Sequence, residues 1–167
     1  MTGPSTTPSP PNVKLIEVQT GREMYKAVLD ELPADVAVFV AAVGDWYVGE
    51  VAEQKIKKNN GSPPSLKFKE NPDILHEVSN LREKRPSLVI GFAAETSDLI
   101  KNAEIKLNKK NCDWIIANDV STATGIMGGD QNKISLISEK QKEDWPLMSK
   151  TLVATKLAAK ICESLGV

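Results

Sequence analysis

Short apolar runs alternate with helical stripes along this chain, and that alternation limits its fold class more tightly than any other sequence feature. Residues 36–42, Val-Ala-Val-Phe-Val-Ala-Ala, form a nearly unbroken run rich in β-branched side chains. A run this short suits a strand covered on both faces, as in a parallel sheet. Runs at 88–92 and 114–117 read the same way, residues 13–18 and 134–137 alternate as strands, and 66–69 is a shorter candidate. Between them lie helix signals. Thr20-Gly21-Arg22-Glu23 matches a capping box, followed by Met24, Ala27, Val28 and Leu32 at helical spacing. Asn71-Pro72-Asp73 reads as a helix start, with Asn71 as cap and Pro72 in the first turn, the helix ending near Arg85-Pro86. A third helix is expected over 97–110. The fourth is capped by Ser149, with Leu152, Val153, Leu157, Ala158, Ile161 and Leu165 as its buried stripe. Residues 44–65, 118–133 and 140–146 are rich in polar and turn-forming residues and read as connections. The expected class is α/β, a Rossmann-like open, mainly parallel sheet with helices on both faces and right-handed crossovers, built as one domain over residues 1–167.

Charge excludes some function classes. With 21 basic and 22 acidic residues the net charge is −1, which offers nucleic acid or an anionic membrane no whole-molecule attraction. No apolar run approaches the roughly 18 residues needed to span a bilayer. Residues 1–11 are rich in Pro, Ser and Thr and lack the pattern of a secretory signal. Cys112 and Cys162 have no metal-ligand spacing and one histidine in the whole chain to help them. Both read as small core fillers, and a reducing cytoplasmic setting fits.

In open α/β sheets, ligands bind outside the carboxyl ends of the strands. Three expected strands end in small or polar residues: Ala41-Ala42-Val43-Gly44-Asp45, Gly91-Phe92-Ala93-Ala94-Glu95-Thr96 and Ala117-Asn118-Asp119. These should line one cleft. Lys55-Ile56-Lys57-Lys58 follows the first of them within a loop long enough to fold over it. Ammonium groups there could neutralise phosphate oxygens during phosphoryl or nucleotidyl transfer, although a lysine run in a loop is equally at home in solvent. Lys106 and Lys110 stand four apart on one helix face. That repulsion is relieved by a shared anion, or is simply the ordinary lysine enrichment of a helix C-terminus. Asp45 and Asp119 suit ribose hydroxyls or a metal, and equally suit a turn. His76 reads as a surface or half-buried side chain, and Trp46 as a possible ligand cover beside Asp45. No Walker loop and no Gly-x-Gly-x-x-Gly after a strand is present, which counts against a nicotinamide oxidoreductase.

Taken in order, Ala41-Ala42-Val43-Gly44-Asp45, Lys55-Ile56-Lys57-Lys58, Lys69-Glu70-Asn71-Pro72-Asp73-Ile74, Gly91 to Thr96 and Ala117-Asn118-Asp119-Val120 resemble bacterial phosphopantothenoylcysteine synthetase. The likeness runs from about Gly3-Pro4 to the last helix. It implies ligation of cysteine to 4'-phosphopantothenate through an acyl-cytidylate, with CTP consumed, a magnesium ion as cofactor, and CMP and pyrophosphate released. It further implies a homodimer and a fused or associated decarboxylase. By matching position Lys55 would be the catalytic lysine, and Asp45, Phe92, Lys106 and Lys110 the nucleotide-contacting side chains. Phe39, Val40 and Ala41, together with Lys69, Glu70, Asn71 and Pro72, would contribute backbone. No metal ligand is assigned by the resemblance. Members of that family begin with a strand, a glycine loop and a segment bearing an essential asparagine, for which Asn12 is not the counterpart. The chain is therefore expected to lack the family's first strand and glycine loop. The alternative reading is a non-catalytic regulatory or binding subunit of the same family.

Overall fold

The computed structural model describes residues 1–5, 8–50, 65–121 and 128–167. Helix α1 (Gly21–Asp30) starts where the capping box puts it. The Glu23 N–H donates to the Thr20 hydroxyl at 3.2 Å, and the Thr20 N–H donates to the Glu23 carboxylate at 3.2 Å. Then come β1 (Val36–Phe39), β2 (Trp46–Val48), β3 (Phe68–Glu70), α2 (Ile74–Ser79), β4 (Leu88–Glu95), α3 (Leu99–Lys110) and β5 (Trp114–Asp119). Beyond them lie β6 (Gln131–Asn132), β7 (Ile134–Ser138), β8 (Lys142–Asp144), β9 (Met148–Ser149) and α4 (Lys150–Leu165).

The central sheet has the order β1-β4-β5-β7-β8. Strands β1, β4 and β5 run parallel, while β7 and β8 join antiparallel. Helices cover both faces, so the expected α/β class and open sheet are present. The antiparallel extension is a departure, because residues 140–146 read as a turn. In the structure the Ser138 N–H donates to the Gln141 carbonyl at 2.9 Å, which closes a tight turn and returns the chain as β8. Two small antiparallel ribbons, β2–β3 and β6–β9, stand apart from this sheet.

Alternation along β4 and β5 sorts the core into two layers. Val89 and Ala93, with Ile115 and Ala117, pack under α1, α2 and α3 through Met24, Val28, Ile74, Val78, Ala103 and Leu107. Leu88, Ile90, Trp114 and Ile116 pack on the other face with Ile134, Leu136, Trp145 and, from α4, Val153 and Leu157. Gly91 in the middle of β4 lets α2 sit close. A Cβ there would lie 2.5 Å from Leu75 Cδ2 and 3.0 Å from Ile115 Cδ1. Gly91→Val is accordingly expected to cost about 1–3 kcal/mol through overpacking. Urea unfolding checks this; an unchanged midpoint would mean that Leu75 swings clear.

Several sequence expectations are corrected. Residues 13–18 form no strand: Glu17 makes a single parallel bridge to Thr2, and Val13 and Leu15 are exposed. Their alternation has no sheet face to cover. Strand β1 stops at Phe39 and lies at the sheet edge, with Val38 exposed rather than covered on both faces. Helix α2 is capped by Asp73, whose side chain accepts the His76 N–H at 3.1 Å, because the Asn71 side chain is bonded elsewhere. It ends at Ser79, not near Arg85. Strand β2 lies in the region read as a polar connection. On α4 the Ser149 cap is present, but Leu152 and Ala158 are exposed and Val153 and Leu157 carry the contact. Cys162 is exposed on that helix and fills no core, unlike Cys112, which is buried.

The two thiols should therefore behave differently. Cys112 donates its S–H to the Trp114 carbonyl at 3.6 Å, and burial pushes its pKa up to about 11. The folded value lies above the unfolded one of about 8.5. Stability from this group is thus whole below that unfolded value and is lost as pH rises through 11. At pH 8 a disulfide reagent is expected to label Cys162 promptly and Cys112 only on unfolding. Equal rates in the folded protein would contradict this.

Candidate functional site at the carboxyl edge of the sheet

Because β1, β4 and β5 are parallel, their carboxyl ends open on one edge, where ligands of such sheets are held. After β1 the chain turns outward through Ala41 to Asp45, most of it exposed. Two hydrogen bonds pin this loop to the segment between β3 and α2. The Asn71 side-chain amide donates to the Gly44 carbonyl at 2.8 Å, and the Asn71 N–H donates to the Asp45 carbonyl at 2.8 Å. The start of α1 closes in from the other side. A Cβ on Gly21 would lie 2.7 Å from Val43 Cγ1 and 3.4 Å from the Asn71 side chain, so any side chain there would displace Val43. These pieces surround a cleft of about 310 Å³, lined among others by Gly21, Met24, Ala41, Val43, Trp46 and Asn71.

Strand register fixes what stands beside the cleft. Trp46 lies opposite Glu70, and Tyr47 opposite Lys69, on an exposed ribbon. The Arg22 guanidinium, from the first turn of α1, stacks over the Tyr47 ring at 4.3 Å. Asp45 is exposed at the rim, as are Val40 and Ala41, while Phe39 packs half-buried on the layer beneath α1 to α3.

Lys106 and Lys110 share a face of α3, as their spacing requires, and each meets a carboxylate. Lys106 lies 4.0 Å from Glu95, at the end of β4, and the Asn102 amide donates to the other Glu95 oxygen at 3.3 Å. Lys110 is the more enclosed and pairs with Asp73. Burial alone would raise the Asp73 pKa. The Lys110 ammonium and the His76 N–H outweigh burial and hold it below the ordinary carboxylate value. With its folded pKa depressed, the pair's contribution is present above about pH 4 and fades as pH falls below that. Glu95 is paired in register with Asp119, and both fall on the α3 face by alternation. The Ser121 N–H, donating to Asp119 at 2.8 Å, lowers that carboxyl's pKa.

Asn71-Pro72-Asp73 thus joins two halves of the edge, with Asn71 holding the Asp45 loop and Asp73 holding Lys110. Phe92 is not brought into that group. It packs with the opposite layer, against the cluster containing Ile90 and Ile116. Lys55, with Lys57 and Lys58, lies outside the described residues. Sequence reasoning placed Glu95 in a cleft-lining strand end and Asp73 in a motif without giving either a partner, and it missed Arg22 and Asn102. Counting alternation along β4 from Val89 would have placed Glu95 on the α3 face. Nothing in the sequence pointed to Arg22. Among the described residues no three His, Cys, Asp or Glu side chains converge on a metal position.

A larger cleft, about 700 Å³, opens at the amino edge beside Arg85, Cys112, Asp113, Lys140 and Lys160. Its main charges are already spent on the fold. Arg85 grips both Asp113 oxygens at 3.1 and 3.2 Å, Asp113 also accepts the Val89 N–H at 2.6 Å, and Lys160 binds Glu143 at 2.8 Å. It lies at the opposite end of the strands from Asp45, Glu95 and Asp119, with Asn111, the residue after Lys110, on its wall.

The family model of the DNA/pantothenate metabolism flavoprotein C-terminal domain matches residues 1–165. The "Coenzyme A biosynthesis bifunctional protein CoaBC" of Vibrio cholerae serotype O1 is 38% identical over 167 residues, covering 99% of this chain and 42% of that protein. The protein of the same name from Haemophilus influenzae is 40% identical over 162 residues, covering 96% of this chain and 40% of its own length. The chain therefore spans about two-fifths of these relatives. The crystal structure of the C-terminal domain of a CoaBC protein superposes with a TM-score of 0.77 at 26% identity, covering 98% of this chain and 72% of that one. The DNA/pantothenate metabolism flavoprotein of Streptococcus pneumoniae has the same fold, with a TM-score of 0.74 at 22% identity, covering 96% of this chain and 77% of that one.

Proposed function

The chain belongs to the DNA/pantothenate metabolism flavoprotein C-terminal domain family, and on that premise we propose that it carries the CTP-dependent joining of cysteine to 4'-phosphopantothenate in coenzyme A biosynthesis. The relatives' names support the pathway. The observation that carries the chemical reading is the carboxyl edge itself, where the Asp45 loop and Lys110 of α3 are tied to one short segment, Asn71-Pro72-Asp73, and Lys106 is held beside it by Glu95 at the end of β4.

In this reading a carboxylate oxygen of phosphopantothenate attacks the α-phosphorus of CTP and pyrophosphate leaves. The cysteine amine then attacks the acyl carbon and CMP leaves. Both steps develop charge on phosphate oxygens, which fixed ammonium groups stabilise. Lys106 and Lys110 are assigned to the phosphates, Lys55 to the reacting centre, and Asp45 to the nucleotide. The backbone at Phe39, Val40 and Ala41 and at Lys69, Glu70, Asn71 and Pro72 lines the same edge. Phe92 keeps only a nearby position, since its ring packs on the far layer. Magnesium binds through one or two carboxylates together with substrate phosphates and water. The exposed Asp45 carboxylate suits that arrangement without a three-residue cage. Among the described residues no helix is long and apolar enough to cross a membrane. A cytoplasmic location is part of the proposal, on the relatives' place in coenzyme A biosynthesis. A homodimer and an attached decarboxylase complete the proposal.

Equilibrium titration with CTP is the direct test, followed by pyrophosphate and CMP release on adding phosphopantothenate, cysteine and magnesium. The release assay uses a form extended upstream toward the relatives' length. Saturable CTP binding with product release supports the ligase. Binding without release supports a regulatory subunit, and no binding at all removes the nucleotide reading.

A further inference from the structure

We propose that Asn71 is a positioning residue for the nucleotide edge, acting through the Gly44 and Asp45 main chain. The proposal deepens the nucleotide reading above and rests on it.

Three observations converge on this side chain. Asn71 forms two bonds of 2.8 Å to consecutive carbonyls on a loop earlier in the chain, its side-chain amide donating to Gly44 and its main-chain N–H to Asp45. Its side chain also sits where a Cβ on Gly21 would approach to 3.4 Å, so α1, the loop and the α2 approach meet around it. Its chain neighbour but one, Asp73, caps α2 and pairs with Lys110. Between them Pro72 has its φ locked near −65°, which makes the spacer stiff. The distance between the Asp45 loop and the lysine face of α3 is therefore set through residues 71–73.

A helix cap would have been the ordinary use of an asparagine before Pro-Asp, and Asp73 already fills that role. The Asn71 amide is left to hold the loop. Among the described residues the loop's other restraints are main-chain bonds, the Asn71 N–H to the Asp45 carbonyl at 2.8 Å and the Val43 N–H to the Ala41 carbonyl at 3.2 Å, while Ala41, Ala42, Gly44 and Asp45 are exposed. Without the side-chain amide the Gly44 carbonyl is released and Asp45 is held by its main-chain bond alone, so nucleotide binding would carry part of the cost of ordering the loop.

Two variants test this. Asn71→Asp is isosteric and cannot donate to Gly44, and Asn71→Ala removes the group altogether. In ligand-free protein, hydrogen exchange of peptides covering 41–48 and 67–71 is expected to accelerate in both, while peptides within β4 and β5 keep their protection. CTP affinity is expected to fall about tenfold, the scale of one lost hydrogen bond. The exchange measurement needs no nucleotide, so it separates this proposal from failure of the CTP reading. Unchanged exchange in 41–48 overturns the proposal. So does accelerated exchange throughout the sheet with a matching fall in thermal midpoint, which would make Asn71 a general stability residue.

Discussion

Replacing both Lys106 and Lys110 with alanine is expected to weaken CTP binding by on the order of 10²- to 10⁴-fold. A hydrogen bond to a charged group contributes about 1.5–3 kcal/mol, and the doubly substituted site loses two. The single variants should differ, because the two lysines are not equivalent in the fold. Lys106 stands 4.0 Å from Glu95 in a loose pairing, so Lys106→Ala should leave the thermal midpoint nearly unchanged while lowering affinity. Lys110 is the less exposed of the two, at 18%, and its partner Asp73 also caps α2. Lys110→Ala should therefore lower stability by about 1 kcal/mol as well, a low value because Asp73 remains partly open to solvent. Calorimetric titration with CTP and thermal unfolding of the three variants give both readouts. A double variant that binds CTP like the parent would end the assignment of these lysines to phosphate.

Trp145→Ala should be the most destabilising single change, at about 3–5 kcal/mol. Trp145 is 1% exposed and fills the layer under α4, against a cluster that includes Ile134, Leu136 and Val153. The Lys156 ammonium lies 4.2 Å from its ring centroid and adds a cation–π contact. The main-chain N–H of residue 145, which the substitution keeps, donates to the Ile134 carbonyl at 2.9 Å and closes the end of the β7–β8 pair, so the loss falls on packing. Guanidinium unfolding should show an earlier midpoint. A loss below about 1 kcal/mol would mean that the layer collapses into the space left behind.

The parts of the fold legible in the sequence were those decided locally. Thr20 and Glu23 write their capping box in adjacent residues, and Ser149 caps α4 as its position suggests. The apolar runs at 88–92 and 114–117 are short and rich in β-branched residues, which reads as buried strands. What could not be read depended on neighbours. Val13 and Leu15 alternate as a strand would, but alternation buries nothing without a face to lie on. Asn71 has the right type and place for a cap, and only the approach of Gly44 shows why Asp73 does that work instead. The site follows the same division. The spacing of Lys106 and Lys110 placed them together, whereas their pairing with Glu95 and Asp73 needed strand register and the placement of α2. Arg22 was invisible because its partner Tyr47 lies on a ribbon that the composition of residues 44–65 disguised as a loop.

The β4–α3–β5 crossover closes between Leu88 and Asp119, a short stretch of chain for six paired positions. Closing a short loop costs little entropy, and contacts local in sequence form early. This unit is thus expected to be largely built in the folding transition state, ahead of β1, whose partner β4 lies about fifty residues away in the chain. Substitutions at Ile115 should slow folding, whereas those at Asn71 or Asp45 should leave the folding rate alone. The edge proposed to hold nucleotide would then be the last part of the protein to take shape, laid onto a sheet already in place.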